Sequence, residues 1–170
     1  MELKNYIRSI PDFPKEGIEF KDITPLLRDK KAFMESIKLL KNKYQNEDID
    51  YIAGIEARGF VIGTPLALAM EKGFIPIRKP GKLPADRIKA SYDLEYGSNE
   101  LELHRDSIDP GDNILLIDDL LATGGTVRAA VNLIEELEGN IVGIGFLLEL
   151  MELNGRDKLK NHDVFSLLKD

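Results

Sequence analysis

A chain of 170 residues, 43% hydrophobic and 31% charged, is long enough to bury the core of one ordinary globular domain. The absence of cysteine excludes disulfides, thiolate nucleophiles and cysteine-held zinc, and fits a reducing compartment. A net charge of -7 argues against nonspecific nucleic-acid binding, and no apolar run approaches the roughly 20 residues of a membrane helix. The opening Met1–Ile7 has no apolar targeting core, so a cytoplasmic location is expected, with neither nucleic acid nor membrane as partner.

The first periodic segment runs from Asp29 to Gln45. Phe33, Ile37, Leu40 and Tyr44 fall on one helical face, with Asp29 as N-cap. Ile49 to Ile55 is largely apolar and β-branched and reads as a strand; Arg58-Gly59 interrupts it, and Phe60 to Met70, apolar on nearly every side, reads as a buried helix. Gly73 is expected as its C-cap, followed by a short strand, Phe74 to Arg78, near a sheet edge because Pro76 cannot donate to a ladder. Lys79 to Lys89 carries Pro80, Gly81 and Pro84 and predicts an exposed, mobile connection.

The period then changes to two. Tyr92, Leu94 and Tyr96 alternate with polar residues, Gly97-Ser-Asn99 predicts a turn, and Leu101 and Leu103 complete a hairpin. After the turn signal Asp109-Pro-Gly-Asp112, Ile114 to Ile117 reads as a buried strand. Val127, Ala130, Val131, Ile134 and Leu137 mark a helix that stops before Gly139, and Ile141 to Leu148 is a further strand. Strands alternating with helices predict an α/β fold: a doubly wound, mainly parallel sheet flanked by helices, with the hairpin as an insertion, all in one domain spanning 1–170.

The chemistry concentrates where the Ile114 strand runs out. Asp118 and Asp119 are costly to hold together without a cationic or hydroxyl-rich partner, and ribose hydroxyls or Mg²⁺ would serve. Ala122, Thr123, Gly124, Gly125 and Thr126 follow, offering main-chain N–H groups and hydroxyls at the start of the Val127 helix, whose N-terminal dipole favours an anion. A ribose 5-phosphate matches both halves. Gly124-Gly125 alone would be no more than a tight loop, and the acid pair alone two solvated turn residues; the order of strand, acids, Thr-Gly-Gly-Thr and helix carries the reading. No Lys follows the glycines as in a Walker loop, and Gly143-Ile-Gly145 lacks the third Gly of a dinucleotide fingerprint. Despite the net charge, cations for a polyanion are at hand in Arg58, Arg78, Lys79, Lys82 and Arg87.

Asp118-Asp-Leu-Leu-Ala-Thr-Gly-Gly-Thr126 resembles the phosphoribosyl pyrophosphate signature of the type I phosphoribosyltransferases, in the form carried by the adenine-specific members. Phe13 to Leu27 resembles their base-binding segment, Tyr51 to Phe60 their pyrophosphate loop, Ile77 to Pro84 with Ser91 to Gly97 their flexible catalytic loop, and Gly155 to Leu159 their C-terminal stretch. The resemblance implies transfer of phosphoribose to adenine, with Mg²⁺ arriving on the donor near Asp118 and Asp119 and no direct protein ligation. It implies a small N-terminal hood in which Phe20 stacks on the base while the backbone of Ile18 and Lys21 reads its edge, Lys21 standing where Arg is expected in many relatives. Glu56, Ala57, Arg58 and Lys79 would hold pyrophosphate, with Glu56-Ala57 as a candidate cis peptide. The stretch from Lys79 to Tyr96, with Arg78, Lys82, Arg87 and Tyr96, would close as a lid, and Glu95 would act as general acid/base. A homodimer is expected on the same ground, and His104 and His162 as surface or partly packed side chains. Another purine acceptor, a noncatalytic ribose-phosphate regulator and a receiver domain are the alternative readings; the absence of a helix-turn-helix extension weighs against the second, and Thr-Gly-Gly-Thr against the third.

Overall fold

The backbone of Asn113–Leu121 shows how the sheet divides the molecule. Ile114 and Leu116 point into one apolar core and Leu115 and Ile117 into another, because successive side chains of a strand take opposite faces and both faces here are covered. In the computed structural model, which describes residues 1–94 and 97–170, the chain order is β1 (Arg8–Ile10), β2 (Phe20–Asp22), α1 (Thr24–Arg28), α2 (Lys30–Tyr44), β3 (Tyr51–Ile55), α3 (Arg58–Met70) and β4 (Gly73–Ile77). It continues with β5 (Arg87–Leu94), β6 (Gly97–His104), β7 (Asn113–Leu121), α4 (Gly125–Glu136), β8 (Asn140–Glu149) and β9 (Val164–Lys169).

The central sheet has the order β4-β3-β7-β8-β9 with every neighbouring pair parallel. One core packs α1, α2 and α3 against it; the other packs α4 and the β5–β6 hairpin, through Ile88, Leu101 and Leu103. This is the doubly wound arrangement expected. From β3 the chain runs outward to β4, then returns to place β7 on the other side of β3. The switch point therefore lies between β3 and β7, where ligands collect beyond the carboxyl ends of the strands. The β1–β2 hairpin forms a separate hood.

Several sequence expectations hold. Asp29 caps α2 through bonds from the Lys31 and Ala32 N–H groups, and β4 with Pro76 lies at the sheet edge. Others need correction. The buried stripe of α2 includes Ala32 and Ser36, leaving Phe33 partly buried, because the helix packs on α1 and α3 as well as on the sheet at β9. Gly73 does not cap α3: Glu71 takes the left-handed turn at φ 57, and Gly73 already belongs to β4. Nor is α3 buried all round, since Val61 and Leu68 are 40% and 78% exposed.

The supposed turn Gly97-Ser-Asn99 lies inside β6, where Leu94 pairs with Gly97; Glu95 and Tyr96 lie outside the described residues. The connection after Lys79 is shorter than expected. β5 begins at Arg87, Leu83 and Ile88 are buried, and Gly81 N–H and the Arg87 guanidinium both reach the buried Glu102 carboxylate, at 3.3 and 3.1 Å. His104 accepts a hydrogen bond from Ala85 N–H, and His162 lies 3.6 Å from Glu135. Among the described residues no helix is long and apolar enough to cross a membrane.

Candidate active site

β7 does not end at Ile117. Its pairing with β3 stops there, at Gly54↔Ile117, while pairing with β8 continues from Asp118↔Phe146 to Leu121↔Glu149. Asp118 and Asp119 thus sit within a strand that has parted from its neighbour on one side. A cavity of about 260 Å³ occupies the gap, lined by Glu56, Ala57 and Arg58 from the β3 side, Lys79 after β4, and the continuous run Asp118 to Val127. Gly59 permits the close approach: a Cβ there would stand 2.9 Å from Asp118 Oδ1 and 3.1 Å from the Ile117 carbonyl oxygen.

The acids are partnered. The Asp119 N–H donates to Asp118 Oδ1 at 2.9 Å, and Asp119 Oδ2 lies 3.0 Å from Arg58 Nε. Burial, and then the neighbouring Asp119 charge, hold the Asp118 carboxyl well above the ordinary carboxylate range. Burial also raises Asp119, with Arg58 opposing it. Two adjacent acids thus share a single guanidinium, an arrangement that favours a further cationic or hydroxyl-rich partner.

Thr123 to Thr126 turn the chain from β7 into α4. Gly124 is the N-cap at φ 84, a backbone that side-chain-bearing residues rarely adopt, and the first residues of α4, Gly125 to Val127, line the cavity. The same loop leans on the C-terminal stretch. A Cβ on Gly124 would come within 2.6 Å of the Gly155 carbonyl oxygen, so only glycine admits so close an approach of the two segments. Gly155 is held from the next residue: Arg156 bonds Glu149 through Nε at 2.6 Å and Nη2 at 2.8 Å, and donates to the Val164 carbonyl at 2.7 Å. Burial pushes the Glu149 carboxyl up, but the hydrogen bonds from Arg156 and Ser166, together with the Arg156 and Lys169 charges, outweigh it and lower its value.

The hood meets this site through Phe20, whose ring centroid lies 5.7 Å from the Arg58 guanidinium carbon and 5.2 Å from the Phe13 ring in an edge-to-face contact. Phe20 does not line the cavity itself; its aromatic face stands beside Arg58, which does.

Comparison with known proteins follows the same outline. The family model for the phosphoribosyl transferase domain matches residues 22–169. The chain belongs to this family. The adenine phosphoribosyltransferase of Halothermothrix orenii is 69% identical over 170 residues, 100% of both chains. Among solved structures, adenine phosphoribosyltransferase from Thermoanaerobacter pseudethanolicus matches with a TM-score of 0.96 and 51% identity over 99% of this chain and 98% of that one. The Saccharomyces cerevisiae enzyme, complexed with D-2,5-dideoxy-2,5-imino-altritol 1,6-bisphosphate and adenine, matches with a TM-score of 0.92 and 45% identity over 98% and 96%.

Of the residues singled out from sequence, the cavity gathers Asp118, Asp119, Ala122 to Thr126, Glu56, Ala57, Arg58 and Lys79. The Glu56-Ala57 peptide is cis. The Glu56 carboxylate is engaged within the protein, accepting from Lys79 N–H at 2.5 Å and lying 3.4 Å from Arg78 Nε. Arg78, Lys82 and Arg87 stand away from the cavity: Arg78 faces Glu56, the Lys82 carbonyl accepts from Arg78 at 3.4 Å, and Arg87 faces Glu102. Glu95 is outside the described residues. Ile18 is exposed, and Lys21 directs its ammonium to Asp170. Sequence reading missed Tyr92 and Lys158. Tyr92 lines the cavity from β5, and the Lys158 ammonium is 3.9 Å from where a Gly125 Cβ would be. The two-residue period marked Tyr92 as inward-facing but could not say toward what.

Proposed function

We propose that residues 1–170 act as one phosphoribosyltransferase domain that transfers the 5-phosphoribosyl group of phosphoribosyl pyrophosphate to adenine, giving AMP and pyrophosphate. The observation that carries it is the parting of β3 and β7. It opens one cavity that has an acid pair at its base, the N-terminus of α4 at one end, and Arg58 beside Phe20 at the other.

In this reading the 5-phosphate takes the main-chain N–H groups and hydroxyls of Ala122 to Thr126, where the helix dipole favours it. The ribose hydroxyls take Asp118 and Asp119. Pyrophosphate takes Arg58, Lys79 and the main chain at Glu56-Ala57; the Glu56 side chain, already bonded to Lys79, serves to hold that segment. Donor binding breaks the Arg58–Asp119 pair and gives each a ligand partner of opposite character, hydroxyls for the acid and phosphate for the cation. Phe20 stacks on the adenine ring, and the main chain of Ile18 and Lys21 reads its edge.

Adenine N9 attacks the anomeric carbon as the bond to the pyrophosphate oxygen breaks, and the N9 proton is lost to a base. Glu95 is assigned that role on family resemblance. Positioning and electrostatic stabilisation supply most of the rate.

Mg²⁺ fits the site as an ion carried by substrate, since Asp118 and Asp119 offer carboxylates in the cavity lining. When bound, it supplies positive charge to the departing pyrophosphate. The exposed Val61 and Leu68, one face of α3, support a homodimer with a second copy covering them. A cytoplasmic location accords with a chain lacking cysteine.

Purified protein with phosphoribosyl pyrophosphate, Mg²⁺ and each of adenine, hypoxanthine, guanine and xanthine tests the assignment. Pyrophosphate release is expected with adenine. Its absence, or preference for another base, overturns the acceptor.

A further inference from the structure

Phe20 and Lys21 are consecutive in β2, so their side chains leave opposite faces of the strand. Phe20 reaches Arg58, whereas Lys21, its side chain only 10% exposed, places its ammonium 2.6 Å from Asp170 Oδ2 and 3.1 Å from Glu19 Oε2 and donates to Ser9 Oγ at 2.9 Å. The other Asp170 oxygen lies 2.9 Å from Lys4 Nζ. One carboxylate therefore grips two cations of the N-terminal segment, Lys4 before the hood and Lys21 within it.

Asp170 is itself fastened to the sheet. Its N–H donates to the Glu149 carbonyl and its carbonyl accepts from Met151 N–H, both at 2.9 Å, and Glu149 pairs in register with Leu121 at the end of β7. A continuous path of main-chain and charge-assisted bonds thus runs from the strand bearing the acid pair, through β8 and Asp170, to the residue beside Phe20. Hydrogen bonds from Lys21 and Lys4 hold the Asp170 carboxyl below the ordinary range, and the bond to Asp170 raises Lys21, as expected of a working ion pair.

We propose that Asp170 is a positioning residue for the acceptor: through Lys21 it sets the placement of Phe20 and the adjoining main chain relative to the reacting centre. The hood is a two-stranded hairpin of three residues a strand, too small to hold its own geometry, so a charge-assisted tether to the main sheet decides where its aromatic face lies. With the ammonium committed to Asp170, the main chain at position 21 remains the part available to a base edge. The inference rests on the acceptor assignment made above.

Steady-state kinetics of Asp170→Asn, Asp170→Glu, Lys21→Met and the double variant Asp170→Asn with Lys21→Met test it, alongside amide hydrogen exchange of wild type and Asp170→Asn. Asp170→Asn is expected to raise the adenine KM about tenfold while leaving kcat and the donor KM within roughly twofold, and Asp170→Glu to recover most of the loss. The double variant should be no worse than either single one, since both remove the same pair. Exchange over residues 8–22 should quicken about tenfold in Asp170→Asn, with Ile114 to Ile117 as in wild type. An adenine KM that stays put, a donor KM that rises with it, or unchanged exchange over 8–22 overturns the proposal. Wild-type protein without adenine turnover refutes the acceptor assignment instead, and the exchange comparison still decides whether Asp170 holds the hood.

Discussion

Gly124 and Gly17 share a backbone conformation, φ 84 and φ 85, and little else. Gly124 lies in the loop from β7 to α4 with the Gly155 carbonyl pressed against it; Gly17 lies in the hood with nothing within 4 Å of where its Cβ would be. The β7–α4 loop is an outgrowth of the main sheet, packed between β7, α4 and the C-terminal stretch. The hood is a short hairpin reached through ion pairs and one aromatic contact. In the proposed reading, preorganised main-chain donors serve the charged half of the substrate, and the aromatic face of the hood its planar half.

Four substitutions would break or sharpen that contrast. Gly124→Val should be the most damaging, because it meets both the backbone penalty and the Gly155 carbonyl. A fall in kcat/KM for the donor of at least about 100-fold is expected, with a stability loss of roughly 2–4 kcal/mol in denaturant melts. Donor kinetics near wild type would show that the loop is not preorganised.

Asp118→Asn follows, with donor kcat/KM down roughly 30-fold for the loss of a charged hydrogen-bond partner. The same change should stabilise the free protein. Burial and Asp119 raise the Asp118 carboxyl in the folded chain, so folding favours its protonated form, and wild-type stability falls as pH rises through that elevated range. The Asn variant escapes the fall. Its Tm at neutral pH should exceed that of wild type by about 2–4 °C, a gain that vanishes below the ordinary carboxylate range. A lower Tm at neutral pH would contradict it.

Phe20→Ala should raise the adenine KM roughly tenfold through lost stacking, with the donor KM within about twofold. An unmoved adenine KM removes Phe20 from the acceptor site. Smallest is Gly17→Ala, which bears the positive φ alone and should cost about 1 kcal/mol in denaturant melts. A loss as large as that of Gly124→Val would mean that the hood is packed as tightly as the loop.

How much of this was legible in the chain depended on whether the signal was local. Asp29 as a cap, the two-residue period of the hairpin and the run from Ile114 through the acids and glycines to the Val127 helix are short-range patterns, and each placed its element. The end of β7 was misplaced. Carboxylates look like the end of an apolar strand, yet β8 continues the ladder to Leu121 and carries the acids with it. Gly73 was misread as a cap because glycine tolerates the left-handed turn that Glu71 takes here.

The residues proposed to hold phosphate could be picked out by sequence alone, since they are contiguous and their chemistry is carried by order and spacing. Tertiary structure decided what distant segments do to one another. It parted β3 from β7 to open the cavity, set Arg58 between Asp119 and Phe20, removed Arg78 and Arg87 to internal partners, and brought Asp170 to Lys21. No local pattern encodes such pairings, because ion pairs and close glycine contacts between remote segments exist only after the parallel sheet has gathered its carboxyl ends at one edge.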